Sequence, residues 1–161
     1  MIADKLIQDR GRSAGDEWVN VTPANLLEAL IALKDDGYRL LVFLTCVDHL
    51  ADGSRQWPAR FEVVYELRDM ERLRHMRVRT FVDGDPPELD SVADIFPPAN
   101  WDERETYDLF GINFKGHPDL TRILMPDDWV GHPLRRDYPV GGETVEFSEE
   151  HDLWQTAPDK A

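Results

Sequence analysis

Two segments with alternating apolar and polar side chains, residues 61–67 and 72–82, constrain the fold of this chain more than any other feature. An alternation with a period of two is typical of a strand that buries one of its faces. The apolar positions are Phe61, Val63, Tyr65 and Leu67 in the first segment and Met76, Val78, Thr80 and Val82 in the second. Because the connection between the segments is short, the pattern predicts a β-hairpin.

Charged residues on the polar faces of the two segments suggest how the hairpin pairs. A register that places Glu62 opposite Arg79 also places Glu66 opposite His75. Directly opposite residues of unlike charge stabilise an antiparallel pair, and the same register keeps both apolar faces on one side. We therefore expect this register in the folded protein.

A helix and an apolar strand are predicted before the hairpin. Thr22 suits the N-cap position, Pro23 suits the first helical position, and Gly37 suits the residue just past the helix end. The apolar residues between them recur at helical spacing and are Leu26, Leu27, Leu30, Ile31 and Leu33. Residues 38–47 are almost wholly apolar, which predicts a strand covered on both faces near the sheet centre.

The rest of the chain is less regular. Asn100 suits the cap of a second helix over residues 101–110, and Gly111 suits its end. Residues 1–20 are polar and weakly patterned, so we interpret them as a loose arm. The prediction is an α+β fold with two layers, a mixed and largely antiparallel sheet, and helices on one face. It divides the chain into a small α+β domain over 1–110 and an extended, Gly/Pro-rich C-terminal arm over 111–161.

Charge and cysteine content exclude several classes of function. The net charge of −14 disfavours nucleic acid and anionic lipid as partners and suits a basic partner surface. A single cysteine, Cys46, excludes an internal disulfide and an iron–sulfur cluster held by this chain alone. The sequence has no nucleotide-binding fingerprint, so we expect no bound cofactor. No apolar run is long enough to span a bilayer and no signal peptide is visible, so we expect a cytoplasmic protein.

One segment, residues 103–139, carries a dense motif that reads ERETYDLFGINFKGHPDLTRILMPDDWVGHPLRRDYP. It resembles the signature of the C subunit, the 30 kDa subunit family, of proton-translocating NADH:quinone oxidoreductase, respiratory complex I. The matching positions are Glu103-Arg104-Glu105, Asp108, Leu109-Phe110, Gly111-Ile112, Gly116-His117-Pro118, Leu120, Arg122-Ile123-Leu124, Pro126, Trp129, and Gly131 through Pro139. The sequence departs from the pattern at Thr121, where a basic residue is common.

The resemblance implies an accessory subunit of the peripheral arm, non-catalytic itself, that supports electron transfer from NADH to quinone coupled to proton translocation. It implies other complex I subunits as partners, especially the D subunit and the subunits that bear clusters. FMN, iron–sulfur clusters, NADH and quinone would be bound by those other chains. The expected location is the cytoplasmic side of the cell inner membrane, with membrane association only through the complex.

The resemblance also indicates which residues would contact partners. The candidate interface residues are Glu103, Arg104, Glu105, Asp108, His117, Arg122, Trp129, His132, Arg135, Arg136 and Asp137. The alternatives are a solvated helix face for the charged residues of the second helix and imidazoles that bond backbone in two rigid Gly-His-Pro turns. We expect residues 112–139 to become ordered only on a partner, and residues 143–152 to stay looser.

Two other functions remain open from the sequence. A homologous subunit of a related complex, fed by ferredoxin, coenzyme F420 or hydrogen, would share the architecture. The ending Val-Glu-Phe-Ser-Glu over residues 145–149 looks more like the NADH type. A stand-alone metal hydrolase would use His117, His132 and Asp137 as its polar residues, although metal ligands usually have tighter spacing on regular elements.

Overall fold

The computed structural model describes residues 3–13, 15–54 and 56–139. The predictions for residues 143–152 and 145–149 lie outside these residues. The strands are β1 Ile7–Ser13, β2 Asp16–Val21, β3 Leu40–Asp48, β4 Phe61–Asp69, β5 Arg74–Val82, β6 Glu88–Asp90 and β7 Asn113–Lys115. The helices are α1 Leu26–Asp35 and α2 Ala99–Phe110, with 3-10 turns at Asp4–Leu6 and Pro23–Asn25. None of the helices in the described ranges has the length and apolarity needed to cross a membrane.

The main sheet has five strands in the order β1-β2-β5-β4-β3. Its β2–β5 pair is parallel and its other pairs are antiparallel, while β6 and β7 form a separate parallel pair. Helix α1 buries its apolar stripe in the cluster formed by the apolar face of the sheet. This architecture confirms the predicted α+β class with a mixed, largely antiparallel sheet.

The helix α1 begins at Leu26, three residues later than its sequence signals suggest, because Thr22 caps the 3-10 turn Pro23–Asn25. The hydroxyl of Thr22 accepts the backbone N–H of Asn25, which closes the 3-10 turn that leads into the helix. Gly37 follows the helix with a φ of +108°, a conformation that glycine adopts without strain. The prediction of this helix is confirmed.

The first twenty residues do not form the loose arm that the sequence suggested. Within the described part, β1 and β2 form a hairpin that joins the main sheet beside β5. Val19 and Val21 are buried in the core, whereas Trp18 and Asn20 lie on the opposite face. The alternation is only a few residues long, so it was too weak to stand out among the polar residues around it.

The apolar strand β3 lies at the edge of the sheet, so the prediction of a central, doubly covered strand is wrong. Leu41, Leu44 and Cys46 point into the core and are buried. Other apolar residues of the strand are 38–41% exposed, namely Leu40, Val42, Phe43 and Val47. A sequence that places apolar side chains on both faces of a strand predicts burial of both faces, even when one of them is open to solvent.

The hairpin β4–β5 is confirmed, but its register differs by two residues from the prediction. Glu62 lies opposite Phe81 and Glu66 lies opposite Arg77. The reason is the carboxylate of Asp69, which accepts the backbone N–H groups of residues 71 and 72 and closes a four-residue loop. The strand pairing therefore continues up to the residues next to the turn, Asp69 and Arg74. The polar faces of the two strands still lie on the same side of the sheet, as predicted.

The helix α2 begins two residues earlier than predicted. Its N-cap is Pro98, and Asn100 lies inside the first turn. It ends at Gly111, which has the left-handed conformation expected of a residue just past a helix end. Helix α2 packs along the edge strand, where the carboxylate of Asp102 accepts the backbone N–H of Leu44 at 3.0 Å. This bond occupies one of the outward-facing groups of the sheet edge.

Candidate interface at the second helix and the C-terminal loop

The carboxylate of Asp108 holds the segment of residues 116–139, called here the C-terminal loop, against α2. This side chain is fully buried, and its Oδ2 accepts backbone N–H groups at 2.8–3.0 Å. The three donors belong to Ile123, Leu124 and Met125. Burial alone would raise the pKa of Asp108, but these bonds and the Arg122 guanidinium outweigh it and hold the pKa below its usual range.

The guanidinium of Arg122 continues the same network into the loop. It donates to Oδ1 of Asp108 on one side. On the other side it donates to the carbonyl oxygens of Trp129 at 3.1 Å and Gly131 at 3.0 Å. A loop without regular secondary structure must satisfy its backbone groups elsewhere, and here a carboxylate and a guanidinium satisfy several of them.

Arg104 binds the loop of its own chain. It donates to the carbonyl oxygen of Thr121 at 3.1 Å, to the hydroxyl of Thr121 at 2.9 Å and to the carbonyl oxygen of Arg122 at 3.0 Å. Thr121 is the position at which the sequence departs from the resembled signature. Its hydroxyl accepts a hydrogen bond from Arg104, which a basic side chain could not do.

Residues from the second Gly-His-Pro turn cover the end of α2. The Nδ1 atom of His132 lies 2.9 Å from the carbonyl oxygen of Asp108, and Arg135 donates to the carbonyl oxygen of Phe110. These contacts use carbonyl groups that a helix end leaves unsatisfied. A side chain at Gly111 would place its Cβ 2.4–2.5 Å from Arg135 and His132, so only glycine fits beneath this cover.

A second carboxylate, Asp48 at the end of β3, binds the far part of the C-terminal loop. It receives two hydrogen bonds from Arg60, at 3.0 and 2.8 Å, and accepts the backbone N–H of Arg136 at 3.0 Å. Arg60 also donates to Asp137 at 2.8 Å. Burial would raise the pKa of Asp48, but these bonds outweigh it and hold the pKa at about 2.

The first Gly-His-Pro turn lies beside the buried carboxylate of Glu103. Glu103 accepts the hydroxyl of Ser91 and the backbone N–H of Val92, each at 2.6 Å. His117 accepts a backbone N–H at Nδ1, so its Nε2 carries the proton that it donates to the carbonyl oxygen of Asn100 at 3.0 Å. The same Nε2 lies 3.9 Å from Oε2 of Glu103.

Glu103 makes the stability of the domain depend on pH. Its burial raises the pKa to about 7 from an ordinary value of 4.5, although the bonds from Ser91 and Val92 oppose the rise. The folded state therefore holds the proton more tightly than the unfolded chain. The stabilising contribution of this group is fully present below pH 4.5 and is lost as the pH rises through about 7.

We expect Glu103→Gln to gain stability relative to the unaltered chain, by roughly 2 kcal/mol, when the pH is raised from 5 to 8. Urea denaturation of both chains at the two pH values measures this change. The difference between variants removes the pH effects of other groups, which both chains share. Glu105→Gln, an exposed substitution on the same helix, is the control and is measured at the same two pH values. Parallel pH profiles for Glu103→Gln and the unaltered chain would contradict the expectation.

The structure places six of the predicted interface residues in two clusters that hold the chain's own loop. Asp108, Arg104, Arg122 and His132 form the first, and Asp137 belongs to the second with Arg136. Arg135 lies between the clusters, and its guanidinium is 5.3 Å from the ring of Phe61. Glu105 is exposed, whereas Asp108 is buried. Contact of these residues with a partner stays a prediction.

Several residues of these clusters were not singled out from the sequence. Asp48 and Arg60 are twelve residues apart and lie on either side of a loop, so no local spacing marks them as a pair. His49, next to Asp48, lies 2.7 Å from Glu62 and stacks on the ring of Trp57. An apolar strand that ends in Asp-His is the one signal available, and it is a weak one.

The geometry gives no support to a metal hydrolase. His117 and His132 bond the carbonyl oxygens of different residues, and Asp137 bonds Arg60. Within residues 3–13, 15–54 and 56–139, no group of three or more His, Cys, Asp or Glu side chains is arranged to hold a metal ion.

Several apolar side chains of the C-terminal loop are exposed on its outer surface. Leu124 is 59% exposed and Val130 is 85% exposed, and the side chains of Ile123 and Leu134 are exposed beside them in the chain. Phe114, expected to need a partner, is instead buried in the core of the domain. Exposed apolar side chains on a loop that is held from below are typical of a surface that another protein covers.

Comparisons with known proteins agree with the motif. Residues 19–144 match the sequence profile of the family described as respiratory-chain NADH dehydrogenase, 30 Kd subunit. The chain is 42% identical over 147 residues to the C subunit of NADH-quinone oxidoreductase from Salinispora tropica, which covers 89% of this chain and 57% of that protein. It is 45% identical over 129 residues to the corresponding subunit from Citrifermentans bemidjiense, with coverage of 80% and 77%. The chain thus spans little more than half the length of the Salinispora relative.

Two solved structures share the fold. The trypsin-resistant fragment of Nqo5 superposes with a TM-score of 0.65 at 35% identity, which covers 70% of this chain and 89% of that one. A chain of the membrane-bound sulfane sulfur reductase, an archaeal respiratory membrane complex, gives a TM-score of 0.71 at 22% identity over 98% of this chain and 88% of that one. The second likeness extends to the fold alone.

Proposed function

The chain belongs to the 30 Kd subunit family of respiratory-chain NADH dehydrogenases, and from that premise we propose that it is an accessory subunit of an NADH:quinone oxidoreductase. In this proposal it is part of the peripheral arm, on the cytoplasmic side of the inner membrane. It supports electron transfer from NADH to quinone, coupled to proton translocation, without reacting itself. The D subunit and the cluster-bearing subunits are the proposed neighbours, and the other chains of the complex hold the FMN, iron–sulfur clusters and quinone.

The observation that carries this proposal is the set of exposed apolar side chains on the outer surface of the C-terminal loop. Its conformation is fixed from beneath by the bonds to Asp108, so the exposed Leu124 and Val130 are presented without a large ordering cost. A preorganised apolar surface favours association with another protein over any chemistry of its own. The polar residues of the motif support the surface, because most of them bond the backbone of the loop.

We expect Leu124→Asp to reduce incorporation of the subunit into the complex at least about tenfold, because a carboxylate would be desolvated where an apolar side chain packs. Native gels of membranes and their NADH:quinone activity measure the effect. Leu73→Asp is the matched control, since Leu73 is 80% exposed in the β4–β5 turn. The thermal midpoint of each purified chain should stay unchanged, because both side chains point into solvent. Equal incorporation of the two variants would contradict the proposal.

The electron donor is tested on the assembled complex. Purified complex that contains this chain should reduce a quinone with NADH as donor. If reduced ferredoxin or reduced F420 supported activity and NADH did not, the chain would instead belong to a related complex.

A further inference from the structure

Glu103 of α2 and His117 of the first Gly-His-Pro turn form a buried pair where the domain meets the start of the C-terminal loop. Both side chains are 0% exposed, and Nε2 of the imidazole lies 3.9 Å from Oε2 of the carboxylate. Among the residues that the structure describes, no lysine or arginine pairs with this carboxylate. A change in the charge of Glu103 therefore acts directly on the ring of His117.

Other ionisable groups face Glu103 from the elements around it. Asp102 on the same helix and Asp94 before that helix oppose a further negative charge at this position. Tyr65 of β4 is fully buried, and its burial, together with the charge of Glu103, raises the pKa of its hydroxyl well above the usual range. Tyr65 therefore keeps its proton when Glu103 ionises, so the ring of His117 is left to respond.

The imidazole of His117 can reach the carboxylate by a small rotation. Its Nε2 donates to the carbonyl oxygen of Asn100 at 3.0 Å, and its Nδ1 accepts the backbone N–H of Asp119 at 3.0 Å. The carbonyl of Asn100 belongs to α2, where it also accepts the helical N–H four residues later, so it keeps a partner if the imidazole turns away. A carboxylate accepts a hydrogen bond roughly twice as strong as one to a neutral carbonyl.

We propose that Glu103 and His117 form a pH-responsive switch at the base of the C-terminal loop. When Glu103 is protonated, the Nε2–H of His117 bonds the carbonyl oxygen of Asn100. When Glu103 gives its proton to solvent, the same N–H turns to Oε2 of the carboxylate. The ring carries a single proton, on Nε2, in both states, because a proton on Nδ1 would face the N–H of Asp119.

The rotation is transmitted to the part of the loop that Arg104 holds. The carbonyl oxygen of Asp119 accepts the backbone N–H of Thr121 at 3.0 Å. Thr121 is in turn bonded by Arg104 through its carbonyl oxygen and its hydroxyl. Turning the ring weakens the bond between Nδ1 and the N–H of Asp119. The pKa of Glu103 is about 7, so the start of the loop should loosen as the pH rises through that value.

Nitrogen NMR of the imidazoles in the purified full chain tests the switch between pH 5 and pH 9. We expect the ring nitrogens of His117 to show a transition with a midpoint at about 7 while the ring stays protonated on Nε2 alone. Glu103→Gln should abolish this transition, because an amide has no such proton to release. A ring that gains a second proton, a ring without a transition, or a transition that persists in Glu103→Gln overturns the inference.

Hydrogen exchange of the Asp119 N–H measures the effect on the loop. Its protection factor should be about fivefold lower at pH 9 than at pH 5, which corresponds to the loss of one ordinary hydrogen bond. The protection factor should not depend on pH in Glu103→Gln. A pH dependence of equal size in both chains would overturn the proposed coupling.

A second variant leaves Glu103 in place. His117→Phe keeps most of the bulk of the ring but offers no N–H, so the Glu103 carboxyl should bind its proton about tenfold more tightly. The carbon signal of that carboxyl follows its ionisation. His132→Phe is the matched control, because the ring of the second Gly-His-Pro turn lies against a carbonyl oxygen and pairs with no carboxylate among the described residues. Unchanged proton affinity in His117→Phe, or an equal change in His132→Phe, overturns the proposal.

Discussion

Asp108→Ala should detach the C-terminal loop from α2 and lower the free energy of unfolding by about 3–5 kcal/mol. The substitution removes the acceptor of three backbone N–H groups and leaves the largely buried guanidinium of Arg122 without its carboxylate. Breaking a buried pair from one side costs more than the pair contributes, because a desolvated charge is left behind. Chemical denaturation measures the loss, and hydrogen exchange of residues 123–125 locates it.

Two controls separate the bond network from general effects on α2. Asp108→Asn keeps an oxygen acceptor without the charge and should lose a smaller amount. Glu105→Ala changes an exposed carboxylate on the same helix and should stay within about 0.5 kcal/mol of the unaltered chain. Fast exchange of residues 123–125 in the unaltered isolated chain would mean that the loop is not held by its own domain.

Asp48→Ala should cost about 3 kcal/mol and free the far part of the C-terminal loop. Asp48 is 4% exposed and is the shared partner of Arg60 and of the backbone of Arg136. Its pKa of about 2 lies below the ordinary 3.8, so the folded state favours the ionised form. The stabilising contribution is present above pH 3.8 and is lost as the pH falls toward about 2.

The measurement for Asp48 is a pair of pH profiles. The stability of the unaltered chain and of Asp48→Asn is followed by urea denaturation from pH 6 to pH 2. The difference in free energy of unfolding between the two chains should decrease as the pH falls, since the carboxylate becomes protonated in the unaltered chain. Asp9→Asn, at an exposed position of β1, is the control and is followed over the same pH range. If the free energy of unfolding of Asp48→Asn differed from that of the unaltered chain by the same amount at every pH, this account would be contradicted.

Local sequence patterns sufficed for the elements whose signals are complete within a few residues. Helix α1 has a capped turn before it, a periodic apolar stripe and a glycine after its end, and the segments of β4 and β5 were marked by alternating apolar residues. The family signature located the motif that builds the candidate interface. Each of these features is determined by residues that are close in the sequence, so it could be predicted from the sequence.

Features set by distant residues were beyond such patterns. The edge position of β3 depends on which strands pair, and apolar residues on both of its faces concealed it. The register of β4 and β5 depends on one carboxylate, Asp69, that bonds the turn. Most charged residues of the motif were assigned to a partner surface because nothing local shows that they bond a loop fourteen or more residues away.

The expectation that residues 112–139 become ordered only on a partner is wrong for residues 123–125. The backbone N–H groups of residues 123–125 are bonded by Asp108 of the same chain, so their protection should exist before any partner binds. A partner would add protection mainly at exposed positions such as Val130. Comparison of the isolated chain with the complex therefore distinguishes a loop that is covered from one that is folded by its neighbour.

The bonds that shape the C-terminal loop end on its main chain, and this has a consequence for how the surface can change. Asp108 and Arg104 recognise N–H and carbonyl groups that most side chains leave in place. The side chains at the exposed positions 123, 124 and 130 therefore do not determine the conformation of the loop. Substitutions at these exposed positions should therefore change which partner the loop binds while the fold of the loop and of the domain stays the same.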